Sequence, residues 1–124
     1  MQSDRFHLEI LNLNHVQFRV NYYSENKEHL EIWHPTTPEG FYTFKYQKNK
    51  VKKNLELMNN RKSMHFVIVN KLQTKMLGHC NYTKIDGQKC WLGYSISKAS
   101  EGKNIMYEAL KLTNTYVINN LKIK

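Results

Sequence analysis

The chain has 124 residues, 40% of them hydrophobic and 12% aromatic, which is a single domain with enough apolar material for a packed core and too much for intrinsic disorder. Its apolar runs are short, Phe66 to Val69 being typical, where a membrane span needs roughly 20 residues; the opening MQSDRFHLEIL carries Asp4 and no apolar stretch of the kind an export signal requires. Nineteen Lys and Arg against ten Asp and Glu give +9, a balance that favours polyanions such as nucleic acid, ribosomes or the phosphates of a nucleotide.

In chain order, Phe6, Leu8 and Ile10 alternate with His7 and Glu9, which predicts a strand over residues 5–11. Asn12 or Asn14 can cap a first helix, in which Val16, Val20 and Tyr23 recur at helical spacing to about residue 25. HPTTPEGF, residues 34–41, holds both prolines and a glycine and reads as a loop. From Tyr42 to about Asn60, Phe44, Val51, Leu55 and Met58 mark a second helix. The cluster Lys45, Lys48, Lys50, Lys52, Lys53, Arg61 and Lys62, with Glu56 the sole acid among them, then reads as a solvated helix face. It lacks the aromatic interleaving of single-strand binders, so nucleic acid is not the expected partner.

The pattern then changes. MHFVIVN (64–70) is a strand, KLQT a turn, MLGHCNYTKI (76–85) a strand, Asp86-Gly87 a strong hairpin signal, and QKCWLGYSIS (88–97) the returning strand. Gly78 and Gly93 interrupt these strands, which marks a bulge or the close approach of another backbone. Ile105, Ala109, Leu112 and Tyr116, with Met106, Leu110, Thr113 and Val117 one step round, predict an amphipathic helix over 103–119. The order is β-α-α-β-β-β-α, an α+β class, ending in the apolar-alternating stub LKIK. Cys80 and Cys90 are too few to staple the domain and read as free thiols of a reducing cytoplasm. The six histidines show no HxxxH pair and no CxxC partner, so no metal site is expected.

Chemistry concentrates in ISKASEGKNIMYEAL, residues 96–110, where a strand ends, a turn centred on Gly102 comes next and a helix begins at once. Helix-start N–H groups lack intrahelical acceptors and sit at the positive end of the dipole, so such a turn can hold a phosphate, with Lys103 adding a mobile charge. The segment resembles the acetyl-CoA loop of the GNAT acetyltransferases, whose pattern is R/Q-x-x-G-x-G/A and whose six positions read here Ala99, Ser100, Glu101, Gly102, Lys103 and Asn104. LGYSI (92–96) and the run from Gly102 to Leu110 are similar to the ribosomal-protein N-terminal alanine acetyltransferase branch. So are YYSENKEHLEIWHP (22–35), through Asn26, Leu30, Trp33 and Pro35, and GHCNYTKI (78–85), so the resemblance covers essentially the whole chain.

That resemblance implies a GNAT-like mixed fold with a largely antiparallel sheet, and acetyl-CoA as cosubstrate held by Ile96, Ser97, Glu101, Gly102, Lys103, Asn104 and Ile105. It implies acetyl transfer to a protein N-terminal amine, with a basic or ribosomal protein as acceptor. Ala99 replaces a long polar side chain, Asn104 replaces Gly or Ala, and Glu101 sets a carboxylate where glutamine is usual, all of which weaken the expected binding. Family members continue through a fifth strand, a fourth helix and a final hairpin, whereas this chain ends at Lys124. The expectation is an incomplete domain with impaired transfer, an open sheet edge, and a homodimer that covers it. The alternative is a non-catalytic dimeric interaction module derived from an acetyltransferase. Asn81, Tyr82 and fourth-strand N–H groups are candidates for lining the groove, but no catalytic residue is assigned. Glu108 reads as a helix-stabilising residue, and Trp33, Pro35 and Phe41 sit where the family shapes its acceptor groove.

Overall fold

The computed structural model describes residues 5–28, 38–86 and 89–121. Strand β1 (Phe6–Ile10) is followed by a 3-10 turn (Leu13–His15) and helix α1 (Val16–Glu25), then helix α2 (Phe44–Asn59). Strands β2 (Met64–Asn70), β3 (Met76–Asp86) and β4 (Lys89–Ile96) come next, then a second 3-10 turn (Lys98–Ser100) and helix α3 (Ile105–Leu121). The sheet runs β1-β2-β3-β4, antiparallel throughout, with Leu8 opposite Ile68, Phe66 opposite Cys80, and His79 opposite Ser95. No helix among the described residues is long and apolar enough to cross a membrane.

Alternation along the strands sends side chains to two different covers. On one face Phe6, Leu8, Phe66, Ile68, Cys80 and Tyr82 pack against α3, which buries a stripe of Ile105, Ala109, Thr113 and Val117 at a spacing of four. On the other, Val67 and Val69 meet Val16 and Tyr22 of α1 and Val51 of α2. Local chemistry sets the ends of these helices. The Asn12 side chain accepts from the Asn14 N–H at the first 3-10 turn, and Thr43 Oγ1 accepts from the Tyr46 N–H at the start of α2. Arg61, with φ of 58°, closes α2 as its N–H bonds the Met58 carbonyl while the Lys62 N–H bonds that of Leu57.

Four expectations need correcting or placing. Phe44 does not enter the core but is 49% exposed, and Gln47 is buried in its stead, accepting from Arg19 Nε at 3.2 Å and donating to the Phe41 carbonyl at 2.8 Å. A helical stripe of Gln47 and Val51 replaces the one drawn through Phe44, because paired amide and guanidinium groups satisfy each other. The final helix continues through Leu121, two residues past the predicted end, so the expected strand character of the stub fails there; residues 122–124 lie outside the described residues. Of the loop expected over 34–41, residues 34–37 lie outside them too, and Phe41 closes a turn onto the Pro38 carbonyl. The hairpin is present as Asp86 opposite Lys89, its two loop residues not described.

The two strand glycines part company. At Gly78 a side chain would collide with the Ser95 carbonyl oxygen and crowd Ile96, so β3 and β4 approach each other closely there. At Gly93 a side chain would meet nothing within 4 Å, so that glycine marks an opening and not a contact. Gly78→Ala is expected to cost about 1–3 kcal/mol, the usual penalty of overpacking, read as a lower denaturant midpoint. A midpoint equal to wild type would show that the two backbones can part there without loss.

Candidate functional site

The turn between β4 and α3 is built mostly by backbone. Ser97 is buried; its N–H donates to the Leu77 carbonyl at 2.7 Å and its hydroxyl to Ser100 Oγ at 3.0 Å. Lys98 N–H donates to Oδ1 of Asn26, the buried residue ending α1, whose own amide is held by the Tyr22 carbonyl. Gly102 and Asn104 both take left-handed backbone, with φ of 76° and 60°. A small residue serves the first position and Asn tolerates the second. Ile105 is buried and anchors the first turn of α3, a helix of 17 residues, while residues 101–104 are exposed. The first-turn N–H groups therefore point out of the helix end with no acceptor in their own helix, and the space beside Gly102 is open for 4 Å.

Arg5 ties this turn to the far end of the chain. Its guanidinium donates to the Lys103 carbonyl and pairs with Glu108 at 3.2 Å. Glu108 Oε2 is enclosed and has no aligned hydrogen bond, so its contact with Arg5 is an ion pair held by charge. Both side chains are about 40% exposed, which limits the pair to under about 1 kcal/mol. An open cleft of about 440 Å³ lies beside the turn, between the end of α1 and the start of β3, walled by Asn26, Lys75, Ser97 and Lys98.

A second feature crosses the sheet under α1. Ser63, His65, Asn81, His79, Ser95 and Tyr22 form one continuous chain of hydrogen bonds. The lengths are 2.9 Å from Ser63 Oγ to His65 Nε2, 2.9 Å from His65 Nδ1 to Asn81 Oδ1, and 3.0 Å from Asn81 Nδ2 to His79 Nδ1. His79 Nε2 lies 2.9 Å from Ser95 Oγ, which lies 2.7 Å from Tyr22 Oη. With Asn81 donating to His79 Nδ1, the His79 proton sits on Nε2 and points at Ser95. Turning the Asn81 amide over reverses every donor in the chain and leaves the heavy atoms in place. Burial holds the His65 imidazole below its ordinary value against the opposing Asn81 hydrogen bond, with Arg19 and Lys50 adding to the lowering. Burial also pushes the Tyr22 phenol well up, so His65 and Tyr22 are both held toward their neutral forms. The rings of Tyr22 and Tyr23 stand 6.2 and 6.4 Å from His79, and Phe41 packs on Tyr23 at 4.9 Å.

The predicted cosubstrate residues thus divide. Glu101, Gly102, Lys103 and Asn104 form the turn itself and Ile105 opens α3, while half-buried Ile96 ends β4 and Ser97 follows it, leading into the turn. Asn81 sits in the polar chain, but Tyr82 does not line that groove. It points to the opposite face, where it is buried against Thr113 and Asn114 and its phenol is pushed up to about 12 by burial. Glu108 steadies the turn through Arg5. Trp33 and Pro35 lie outside the described residues. Tyr22, His79 and Ser95 fall inside the patches 22–35, 78–85 and 92–96 without standing out there, and Arg5 lies outside all of them; the alternation of His79 and Asn81 with buried neighbours is a further signal for the polar chain.

The family model for the acetyltransferase (GNAT) domain matches residues 6–124. The [ribosomal protein uS5]-alanine N-acetyltransferase of Escherichia coli is 25% identical over 94% of this chain and 62% of its own length. Among solved structures, the ribosomal-protein-S5-alanine acetyltransferase of Vibrio fischeri superposes with a TM-score of 0.93 at 23% identity, over 99% of this chain and 69% of that one. A ribosomal L7/L12 α-N-protein acetyltransferase solved with coenzyme A gives a TM-score of 0.83 at 19% identity, over 98% and 68%.

This geometry has two measurable outcomes. Arg5→Ala is expected to speed amide exchange across residues 102–106 at a stability cost under about 1 kcal/mol; unchanged exchange would mean that the turn holds itself. For His65 the folded value is depressed, so the unfolded chain takes the proton first as pH falls. The stability due to neutral His65 is whole above about pH 6.5 and is lost as pH falls through the folded value. The melting temperature is expected to drop from about pH 7 to about pH 5 and to drop less in His65→Gln; equal slopes would remove His65 as the cause.

Proposed function

This chain belongs to the GNAT acetyltransferase domain family, and on that premise we propose that residues 1–124 form one domain of an N-acetyltransferase, moving an acetyl group from acetyl-CoA to the N-terminal amine of a protein. The single observation that carries the reading is the turn at Gly102 and Asn104, whose left-handed residues aim helix-start amides into open space beside β4. A diphosphate fits there: amide donors at the positive end of a helix, room beside Gly102, and exposed Lys98 and Lys103 to either side. Ile96, Ser97, Glu101, Gly102, Lys103, Asn104 and Ile105 are the residues assigned to hold acetyl-CoA. When bound, its thioester supplies the activated acetyl carbonyl.

Relatives named for acting on ribosomal proteins S5 and L7/L12 support a ribosomal or other basic protein as acceptor, in a cytoplasmic setting. A second reading, a dimeric interaction module, draws on the edge strand β4, where Trp91 is 69%, Tyr94 57% and Leu92 42% exposed.

Calorimetric titration with acetyl-CoA, against 3′,5′-ADP as the polyanion control, separates the two. The transferase reading expects saturable binding of acetyl-CoA that the control does not match. It also expects at least a roughly tenfold loss in Gly102→Asp, which strains the left-handed position and repels phosphate. Binding equal to the control, or unchanged in the variant, would leave only charge attraction and the module.

A further inference from the structure

Ser95 stands where two observations meet. The polar chain from Ser63 ends on its hydroxyl and that of Tyr22. Two residues earlier on the same strand face, Gly93 leaves open space where a side chain would stand. Gly93 pairs with Asn81 and Ser95 with His79, so the opening lies beside Asn81, one same-face pair along the strands from the imidazole. His79 and Ser95 are each half-buried, and the rings of Tyr22 and Tyr23 stand over them. An amine entering at Gly93 would approach a hydroxyl backed by an imidazole.

We propose that His79, acting through the Ser95 hydroxyl, takes the proton from the acceptor's N-terminal amine. The proposal rests on the transferase reading above. With Asn81 turned so that its Oδ1 accepts from His79 Nδ1, the Nε2 lone pair faces Ser95 Oγ–H. One ammonium proton then passes to Ser95 Oγ as the Ser95 proton passes to His79 Nε2. The freed nitrogen forms its bond to the acetyl carbon, and the carbon–sulfur bond breaks. The nitrogen's second proton goes to the departing sulfur, giving the thiol, and His79 releases its proton to water. His79 is thus a positioning residue that stores the proton, and Ser95 is the group that touches the amine.

Substrate class is set by proton affinity. Imidazoles ordinarily titrate near 6.5, α-amines near 7.7–8.0 and lysine amines near 10.4. Transfer from an α-ammonium is therefore uphill by about 15- to 30-fold, whereas transfer from a lysine is uphill by nearly 10⁴-fold. Against His79 stand Tyr22 and Tyr23 of α1 and Ser95 of β4, and acting on His65 are Arg19 of α1, Lys50 of α2 and Ser63 just before β2. Arg19 and Lys50 favour a neutral His65.

The test is steady-state acetyl transfer to a peptide with a free α-amine and to an N-blocked peptide carrying one lysine, across pH, with acetyl-CoA binding measured alongside. Wild type is expected to prefer the α-amine and to show an ascending limb in the histidine range. His79→Gln is expected to lose at least about 10²-fold in kcat and to lose that limb, with acetyl-CoA affinity unchanged. Ser95→Ala, which leaves the imidazole in place, is expected to do the same, and decides the matter should His79→Gln fail to fold. Gly93→Leu, which fills the opening, is expected to raise peptide KM. Wild-type kcat and pH profile in His79→Gln or Ser95→Ala would overturn the proposal while leaving the transferase reading intact; equal use of lysine would overturn the proposal and, in the reading, the choice of the N-terminal amine. Absence of wild-type transfer to either peptide would remove both.

Discussion

Strand β4 is paired to the sheet on one side only among the described residues, and both chemical features of the chain hang from it. Its end feeds the Gly102 turn, and its Ser95 hydroxyl joins the polar chain to Tyr22. The partner that holds β4 is β3, and the two come close at Gly78, where the Ser95 carbonyl oxygen occupies the place of a side chain. One position on, the Ser97 N–H bonds the Leu77 carbonyl and fixes where the chain leaves the sheet. A slip of one residue would carry Ser95 to the α3 face and bring Tyr94 over His79. Register at Gly78 is therefore a precondition for either kind of chemistry.

The two faces of the sheet are chemically unlike, and their covers explain why. Helix α3 lays an apolar stripe over one face and keeps that core neutral; the Cys80 thiol there is pushed up to about 12 by burial, which denies it thiolate reactivity. What α3 contributes to the site comes from its end, through peptide dipoles and unspent amides. The face under α1 and α2 admits polar groups because each finds a partner: Gln47 with Arg19, His65 with Ser63 and Asn81, His15 with Glu9 at 2.7 Å. A fully satisfied network of this kind specifies one arrangement, and an isolated imidazole in the same place would not. The lysines of α2 stay outside it, so their charge acts at a distance as a field that favours anionic visitors.

The strands, the hairpin and the last helix are legible in the sequence because their signals are local: alternation in Phe6–Ile10, β-branched density in Met64–Asn70, Asp-Gly between two strands, and apolar residues four apart in α3. The turn is legible because a glycine between a strand and a helix has a physical job wherever it stands. The polar chain is not, since it depends on which residues oppose each other across three strands. Nothing local to His79 says that Ser95 stands opposite it, or that Asn81 bridges it to His65. Tyr82 misleads for a related reason: alternation tells that Asn81 and Tyr82 face apart, not which of them faces α1. Arg5 is invisible because its partner Lys103 is 98 residues away. Phe44 misleads because helical spacing alone cannot see that a buried amide, once paired, can displace an aromatic ring.

The departures at Ala99, Glu101 and Asn104 bear on the turn less than a comparison of side chains suggests. The donors that a diphosphate would meet are amides, which every residue but proline carries, and their direction is set by the left-handed φ of Gly102 and Asn104. Asn is among the few residues other than Gly that visit this region without large strain, so Asn104 keeps the backbone path that a glycine would give. Glu101 sets one negative charge against the positive Lys98 and Lys103, all three exposed, where charges are screened beyond about 8–10 Å at moderate salt. Amide donors in contact with a ligand are not screened in that way. Affinity that survives added salt therefore reports the backbone turn, and affinity that vanishes reports the lysines.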